Sequence, residues 1–430
     1  MRRSATLLCE ATDRCRVLVI GGGSAGLGIS SKLARKLPKG DVTIVEPNTI
    51  HYYQPGYTLM GVGQTRLDKL TAAQKYLIPN GVRNIEGKVA TFMPESNKVV
   101  LANGRELSYE MLVITTGLQL RYDMIEGAWD ALNSASAPVC SIYLPHLSEK
   151  CYRLLNEIRV KKEDGYPLMF TFPATPVKCA GAPQKIMYLA WDMLKQSGLH
   201  AKCSYYTAGP RLFGVDKYEK SLLQICQQRE IDIHRQHNLV KVEVLGGNRG
   251  GVATYKLPDG TLERRDFRFL HIGPPSSPIK PLRECPALTD ANGWVDVNAK
   301  TLQSNKFSNV FAIGDCTNTP NSKTAAAISS QLKVAGPNIL AALEGGVPTK
   351  EYDGYASCPL LVSHNKVILA EFGPNGPMET MPFDQSKPSY ISFIMKKYFM
   401  PWLYWHGLIK GVWNGPAQIR RILNVIKSSS

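Results

Sequence analysis

The stretch RVLVIGGGSAGLGISSKLARKL, Arg16 to Leu37, leaves the chain few folds to choose from. An apolar run, a glycine-rich turn and an amphipathic run follow in the order strand, turn, helix of a βαβ unit. Gly21, Gly23 and Gly26 take the GxGxxG positions, and VTIVEP brings a second strand to Glu46, twenty residues after Gly26. Each residue has a physical reason. The first glycine permits the tight turn, the second lets backbone approach a pyrophosphate, and the third lets the helix pack closely on the strand. Ser24 and Ala25 open the helix, whose free N–H groups and dipole favour an anion. Glu46 is placed to accept hydrogen bonds from a ribose hydroxyl.

Which dinucleotide this turn serves is answered far downstream. SNVFAIGDCTN carries an apolar strand, Val310 to Ile313, that ends in Gly314-Asp315. In flavoproteins with two dinucleotide domains, this GD sets an aspartate against the ribityl chain of FAD. MLVITTG, Met111 to Gly117, reads as the strand that closes the FAD domain before the chain leaves for a second one. The three signals occur in the order that FAD binding requires.

A second Rossmann-like domain is expected over 126–284, with strands at LMFTFP, CSYYTAG and FLHIGP and a helix from about Pro183 to Gln196. Its first turn, FPATPVKCAGAPQK, lacks the glycine spacing of the first. Two prolines stiffen it and bulky residues obstruct a pyrophosphate, so nicotinamide binding is disfavoured there. Cys179 sits in this turn beside Lys178, just ahead of a helix in which Pro183 suits the first position. A helix N-terminus and a cation both favour thiolate over thiol. A second cysteine of interest, Cys358, lies in DGYASCPLL. The ten cysteines form no CxxC and no zinc spacing, which excludes a finger-type metal site and points to a reducing compartment.

The net charge of +16 calls for an anionic partner. No recognition motif for nucleic acid accompanies it. After Asp384 no acidic residue occurs, while seven cations and Trp402, Trp405 and Trp413 gather in the last segment. Aromatic and aliphatic residues interleaved with cations suit a helix lying in a membrane interface. No apolar run is long enough to span a bilayer.

TPVKCAGAPQKIMYL, NVFAIGDCTNTPNSKTAAA, YDGYASCPLL, ILAEF, PFDQSK and MPWLYW together resemble the sulfide:quinone oxidoreductase family of mitochondrial, animal type. The resemblance runs from about residue 15 to about residue 420. It implies an α/β fold of two Rossmann-like, three-layer domains with a C-terminal membrane-associating region. The segments are a short N-terminal piece, 1–14, that reads as a weak targeting sequence, and an FAD domain in two parts, 15–125 and 285–350. Between those parts lies the second domain, 126–284, and 351–430 forms the C-terminal region. The resemblance further implies a redox-active pair, Cys179 and Cys358. Sulfide adds to the oxidised pair and leaves a persulfide on Cys179, Cys358 is freed as the thiolate that passes two electrons to the flavin, and the reduced flavin passes them to ubiquinone. Glutathione or sulfite takes the sulfur. The FAD contacts implied are Ser24, Ala25, Glu46, Gln54, Val89, Asp315 and the helix start Ala325, Ala326, Ala327 and Ile328. Lys185 and Lys396 supply positive charge to the sulfur or quinone sites. The expected location is the mitochondrion, peripheral on the inner membrane.

Two other readings remain open at this point. One is a type II NADH:quinone oxidoreductase, against which the 173–185 turn speaks. The other is a non-catalytic, flavin-bound sulfur carrier on the membrane. A soluble disulfide reductase would need a cysteine pair near the first FAD helix, and HYYQPGYTLMGVG has none.

Overall fold

A computed structural model describes residues 13–246 and 249–428. Nearly all of the N-terminal piece expected to act in targeting therefore lies outside the described residues. The first strand, Asp13–Ile20, pairs in parallel with Val42–Glu46 on one side and Glu106–Ile114 on the other. Arg83–Glu86 extends the sheet beyond Val42–Glu46. The strand Glu106–Ile114 is long enough to serve two partners. Its start pairs with the antiparallel Lys98–Leu101, and its end pairs in parallel with Val310–Ala312. The segment after the second domain is thus stitched back into the first sheet beside the glycine turn.

A second sheet carries five parallel strands in the order Val139–Cys140, Leu270–His271, Tyr166–Phe172, Ala201–Thr207, Asp232–Arg235. Leu168 to Thr171 are all buried, which explains a run without polar alternation in a strand covered on both faces. The helix Ala182–Gln196 follows with Pro183 in its first turn, and it buries Ile186, Leu189, Ala190 and Leu194. A three-stranded antiparallel meander over 238–267 completes this half.

The chain then forms a hairpin, Ala356–Ser363 with Lys366–Gly373, in which Cys358 lies opposite Ala370. The hairpin packs on the helix Ala182–Gln196, sharing one core. Next comes a continuous helical stretch from Tyr390 to Leu408, in which two wide, π-type turns, Met395–Phe399 and Tyr404–Leu408, alternate with α-helical turns. Among the described residues no helix is long and apolar enough to cross a membrane.

Candidate active site

One cleft runs between the glycine turn, the 173–185 loop, the hairpin and the helical stretch after residue 390. At one end the glycine turn shapes it. Gly21 has φ +104°, and a Cβ there would lie 2.6 Å from the Thr115 carbonyl oxygen. A Cβ on Gly26 would fall 1.8 Å from the Gly21 carbonyl oxygen. A Cβ on Gly23 would meet nothing within 4 Å, so that glycine leaves room on the cleft side. The start of the helix Ser24–Ala34 points its free N–H groups at this space. Glu46 is anchored by the Gly22 N–H (2.5 Å) and the Asn48 N–H (2.8 Å), and it lines the same end.

Farther in, Asp315 lines the cleft and makes no side-chain hydrogen bond among the described residues. Burial pushes its pKa up, while Lys323 and Lys178 pull the other way. A carboxylate left without a protein partner beside a helix start, Ala325–Leu343, fits a ligand that brings hydroxyl groups and a phosphate. Ala325, Ala326 and Ile328 line the wall here, and Ala327 turns into the core. Gln54 also lines it, accepting from Lys178 Nζ at 2.6 Å. These features fit FAD. Val89 does not join them. Its side chain is buried in the core on the far side of the first sheet, where Val89 pairs with Leu101. Gly26 sits under the turn and not on its surface.

Cys179 and Cys358, 179 residues apart in the chain, meet with their sulfurs 3.9 Å apart. Cys179 has φ +52°, a left-handed conformation that costs a non-glycine residue about 1–2 kcal/mol. Its loop is tied across to the FAD-side chain, because the Cys179 N–H donates to the Lys323 carbonyl (2.8 Å). A Cβ on Gly181 would lie 2.6 Å from Cys358 Sγ, so this glycine lets the second sulfur come close.

The sequence placed the activating cation at Lys178, next to Cys179. In the structure Lys178 turns away to Gln54, because the left-handed residue throws successive side chains in different directions. The cation at the sulfur is Lys185, six residues on, whose Nζ donates to Cys179 Sγ at 3.2 Å. Lys396 is buried as well, donating to the Pro55 carbonyl (3.2 Å). The hydrogen bond between Cys179 and Cys358, together with Lys185 and Lys396, holds the Cys179 thiol well below the ordinary value against the opposing effect of burial. Cys358 is pushed well above that value, by its hydrogen bond to Cys179 and by burial. Burial works against the Lys185 ammonium, yet the two sulfurs raise its pKa. Burial and repulsion from Lys185 bring Lys396 down to about 8. The pair is therefore polarised, with the thiolate at Cys179, which lines the cleft, and the thiol at Cys358, which is buried behind it.

The comparisons with known proteins agree with this geometry. Residues 15–148 match the family described as "Pyridine nucleotide-disulphide oxidoreductase". The chain is 39% identical over 420 residues to the mitochondrial sulfide:quinone oxidoreductase of Mus musculus, with 97% of this chain and 91% of that one covered. It is 38% identical to the enzyme of the same name from Dictyostelium discoideum, covering 93% of this chain and 87% of that one. The chain belongs to the sulfide:quinone oxidoreductase family. The chain is an FAD-dependent oxidoreductase of this family, and the cleft is the candidate site for that cofactor. The solved sulfide:quinone oxidoreductase of Aquifex aeolicus has the same fold, with a TM-score of 0.77 at 18% identity, covering 96% of this chain and 95% of that one.

Several residues in and around the cleft were not singled out individually from the sequence. Tyr143 lines the wall near the thiols with its hydroxyl buried and unpaired. His51 and Tyr404, far apart in the chain, hydrogen-bond to each other at 2.6 Å. Glu371 is buried and accepts from Tyr355 (2.5 Å), the Thr380 N–H (2.9 Å) and Gln385 (2.8 Å), holding the 378–386 segment on the hairpin.

Proposed function

We propose that Cys179 and Cys358 oxidise hydrogen sulfide as a pair, and that the electrons leave through the cleft to ubiquinone. The observation that carries this reading is the polarised thiol pair, held by Lys185 in the same cleft as the glycine turn. When the pair is oxidised to an S–S linkage, the hydrosulfide anion attacks one sulfur. A new S–S bond forms, the old one breaks, and the products are a cysteine persulfide and a free thiolate. Lys185 and Lys396 draw the anion in and stabilise the released thiolate. Because they favour the anion at Cys179, we read Cys179 as the leaving thiolate and Cys358 as the persulfide carrier. This reverses the order that the family resemblance implied. FAD, when bound, supplies the two-electron acceptor and the link to quinone. Glutathione or sulfite, as a small nucleophile, takes the sulfane sulfur and leaves two reduced thiols, and the S–S linkage would re-form as the pair gives two electrons to bound FAD.

The far end of the cleft is apolar, walled by Met395, Phe399, Met400, Leu403 and Ile419, which suits a quinone ring and tail. The outer face of the same helical stretch exposes Ile391, Ile394, Tyr398 and Trp402 at helical spacing, with Ile391 63% and Trp402 56% exposed. Lys397 lies alongside, stacked on Phe393 and Tyr398. This stripe is read as the lipid-facing surface and supports a peripheral place on the mitochondrial inner membrane. Of the three tryptophans only Trp402 belongs to it, since Trp405 packs inward and Trp413 lines the cleft. Lys396 also faces inward.

The test is sulfide-driven reduction of a short-chain ubiquinone by the FAD-loaded protein, with and without glutathione or sulfite. Replacing either Cys179 or Cys358 by serine is expected to abolish it. Full activity in both variants would sink the proposal. Flotation with cardiolipin-containing vesicles tests the stripe, and Ile391→Glu with Trp402→Glu is expected to release the protein from them.

A further inference from the structure

The glycine turn is held by residues that no motif announces. Gln74 Nε2 donates to the Gly22 carbonyl (2.9 Å), which fixes the orientation of that amide. Its Oε1 therefore faces His51 Nδ1 (3.2 Å), and as a carbonyl oxygen it can only accept. His51 is buried, and burial lowers its pKa, so the imidazole is neutral with its proton on Nδ1. Nε2 must then accept, and its partner at 2.6 Å is the Tyr404 hydroxyl. Having given its proton to His51, Tyr404 accepts from Ser24 Oγ at 2.8 Å. The hydrogen bonds run in one direction from Ser24 to Tyr404, His51, Gln74 and the Gly22 carbonyl. They enclose Gly23, the residue whose missing side chain opens the turn to a pyrophosphate.

Tyr404 belongs to the C-terminal segment, which is strapped along the back of the same helix. Ser31 Oγ donates to the Ile409 carbonyl (2.8 Å), Lys32 Nζ to Asn414 Oδ1 (2.6 Å), and Arg35 to the Lys410 carbonyl. Gly411, with φ +65°, lies so close that a Cβ would come 2.6 Å from the Gly28 carbonyl oxygen. Ring contacts of Tyr404 with Tyr53 and Trp405 complete the fit.

We propose that the C-terminal segment is a cofactor clamp, in which Tyr404 closes a hydrogen-bonded ring around the dinucleotide turn and sets how long FAD stays bound. The proposal rests on the FAD reading of the cleft. Removing the Tyr404 hydroxyl takes away the partner of Ser24 Oγ and of His51 Nε2, which breaks the ring and loosens the turn. Because Tyr404 acts through Ser24 and His51, it is a positioning residue, and cofactor release is the direct readout.

The experiment uses the full-length holoprotein and follows flavin fluorescence as FAD is released in mild chaotrope, with thermal melts of the holo and apo forms. Tyr404→Phe is expected to release FAD about 10-fold faster. It should also lower the melting temperature of the holo form more than that of the apo form. Ser31→Ala, which loosens the strap away from the cleft, is expected to act in the same direction and more weakly, and it decides the matter if Tyr404→Phe does not fold. Unchanged FAD release would overturn the proposal, as would an equal fall in both melts. Purified wild-type protein without flavin absorbance would overturn the FAD reading itself and this inference with it.

Discussion

The molecule contains two strand-to-helix turns built on the same plan, and they use their glycines for opposite purposes. In the first, Gly23 leaves open space so that a ligand can approach backbone. In the second, Gly181 is filled at once, by Cys358 Sγ and Leu360 within 2.6 Å of where its Cβ would be. One missing side chain admits a cofactor and the other admits a sulfur from the same chain. A Rossmann-like turn is thus a general device for bringing something close to a helix start, and the sequence around it decides what that is.

The largest expected effect separates the turns outright. Cys179→Ser should cut sulfide-driven quinone reduction by about 10³-fold or more, with flavin content unchanged. A variant that lost its flavin instead would show that the two turns are not independent. A methyl group in each turn comes next. Gly26→Ala, driven against the Gly21 carbonyl, should weaken FAD retention by about 100-fold, read by dialysis and absorbance. Gly181→Ala should leave the flavin in place and lower turnover by about 100-fold through a displaced sulfur. An exchange of these two phenotypes would break the comparison.

Charge gives smaller effects. Lys185→Met should slow alkylation of Cys179 at pH 7 by about 10-fold, since each unit of pKa is tenfold in thiolate fraction. The sign follows from the depressed thiol. Because its thiol is held low, wild-type reactivity at neutral pH should change less with pH than that of the variant, whose reactivity should rise with pH there. Smallest is the effect of Lys396. It gives up its proton near pH 8, so the KM for sulfide should climb about 3-fold above that pH and stay level in Lys396→Arg, which keeps its charge. A wild-type KM that stays flat to pH 10 would remove Lys396 from the capture of sulfide.

How much of this could be read from the residues depends on how local the cause is. The first turn was legible because its spacing, Gly21 to Glu46, is a short-range rule of backbone geometry. The α/β class followed from the same alternation. Adjacency pointed to Lys178 as the cation at Cys179, a poor guide where the backbone is left-handed, whereas the family resemblance supplied Lys185. Lys185 lies one helical turn beyond Ala182 and reaches back to the sulfur. Val89 turns its side chain into the core and not into the cleft, and composition does not separate a β residue at a ligand edge from one in the core. The joining of Ser24, Tyr404, His51 and Gln74 into a ring had no signature, although Ser24 and the segment carrying Tyr404 were singled out separately. Tyr404 lies 380 residues from Ser24 and 353 from His51, and it reaches them only through packing of the last segment on the first helix.

Gly181 carries a mechanical consequence. Cys179 leads into the helix Ala182–Gln196, and Cys358 lies on the strand seated against that same helix. Both sulfurs therefore ride on one stiff body, although the opposite bank of the cleft is the first sheet. The spacing of the two sulfurs is thus set inside one unit, and the bond from the Cys179 N–H to the Lys323 carbonyl fixes where that unit stands against the other bank.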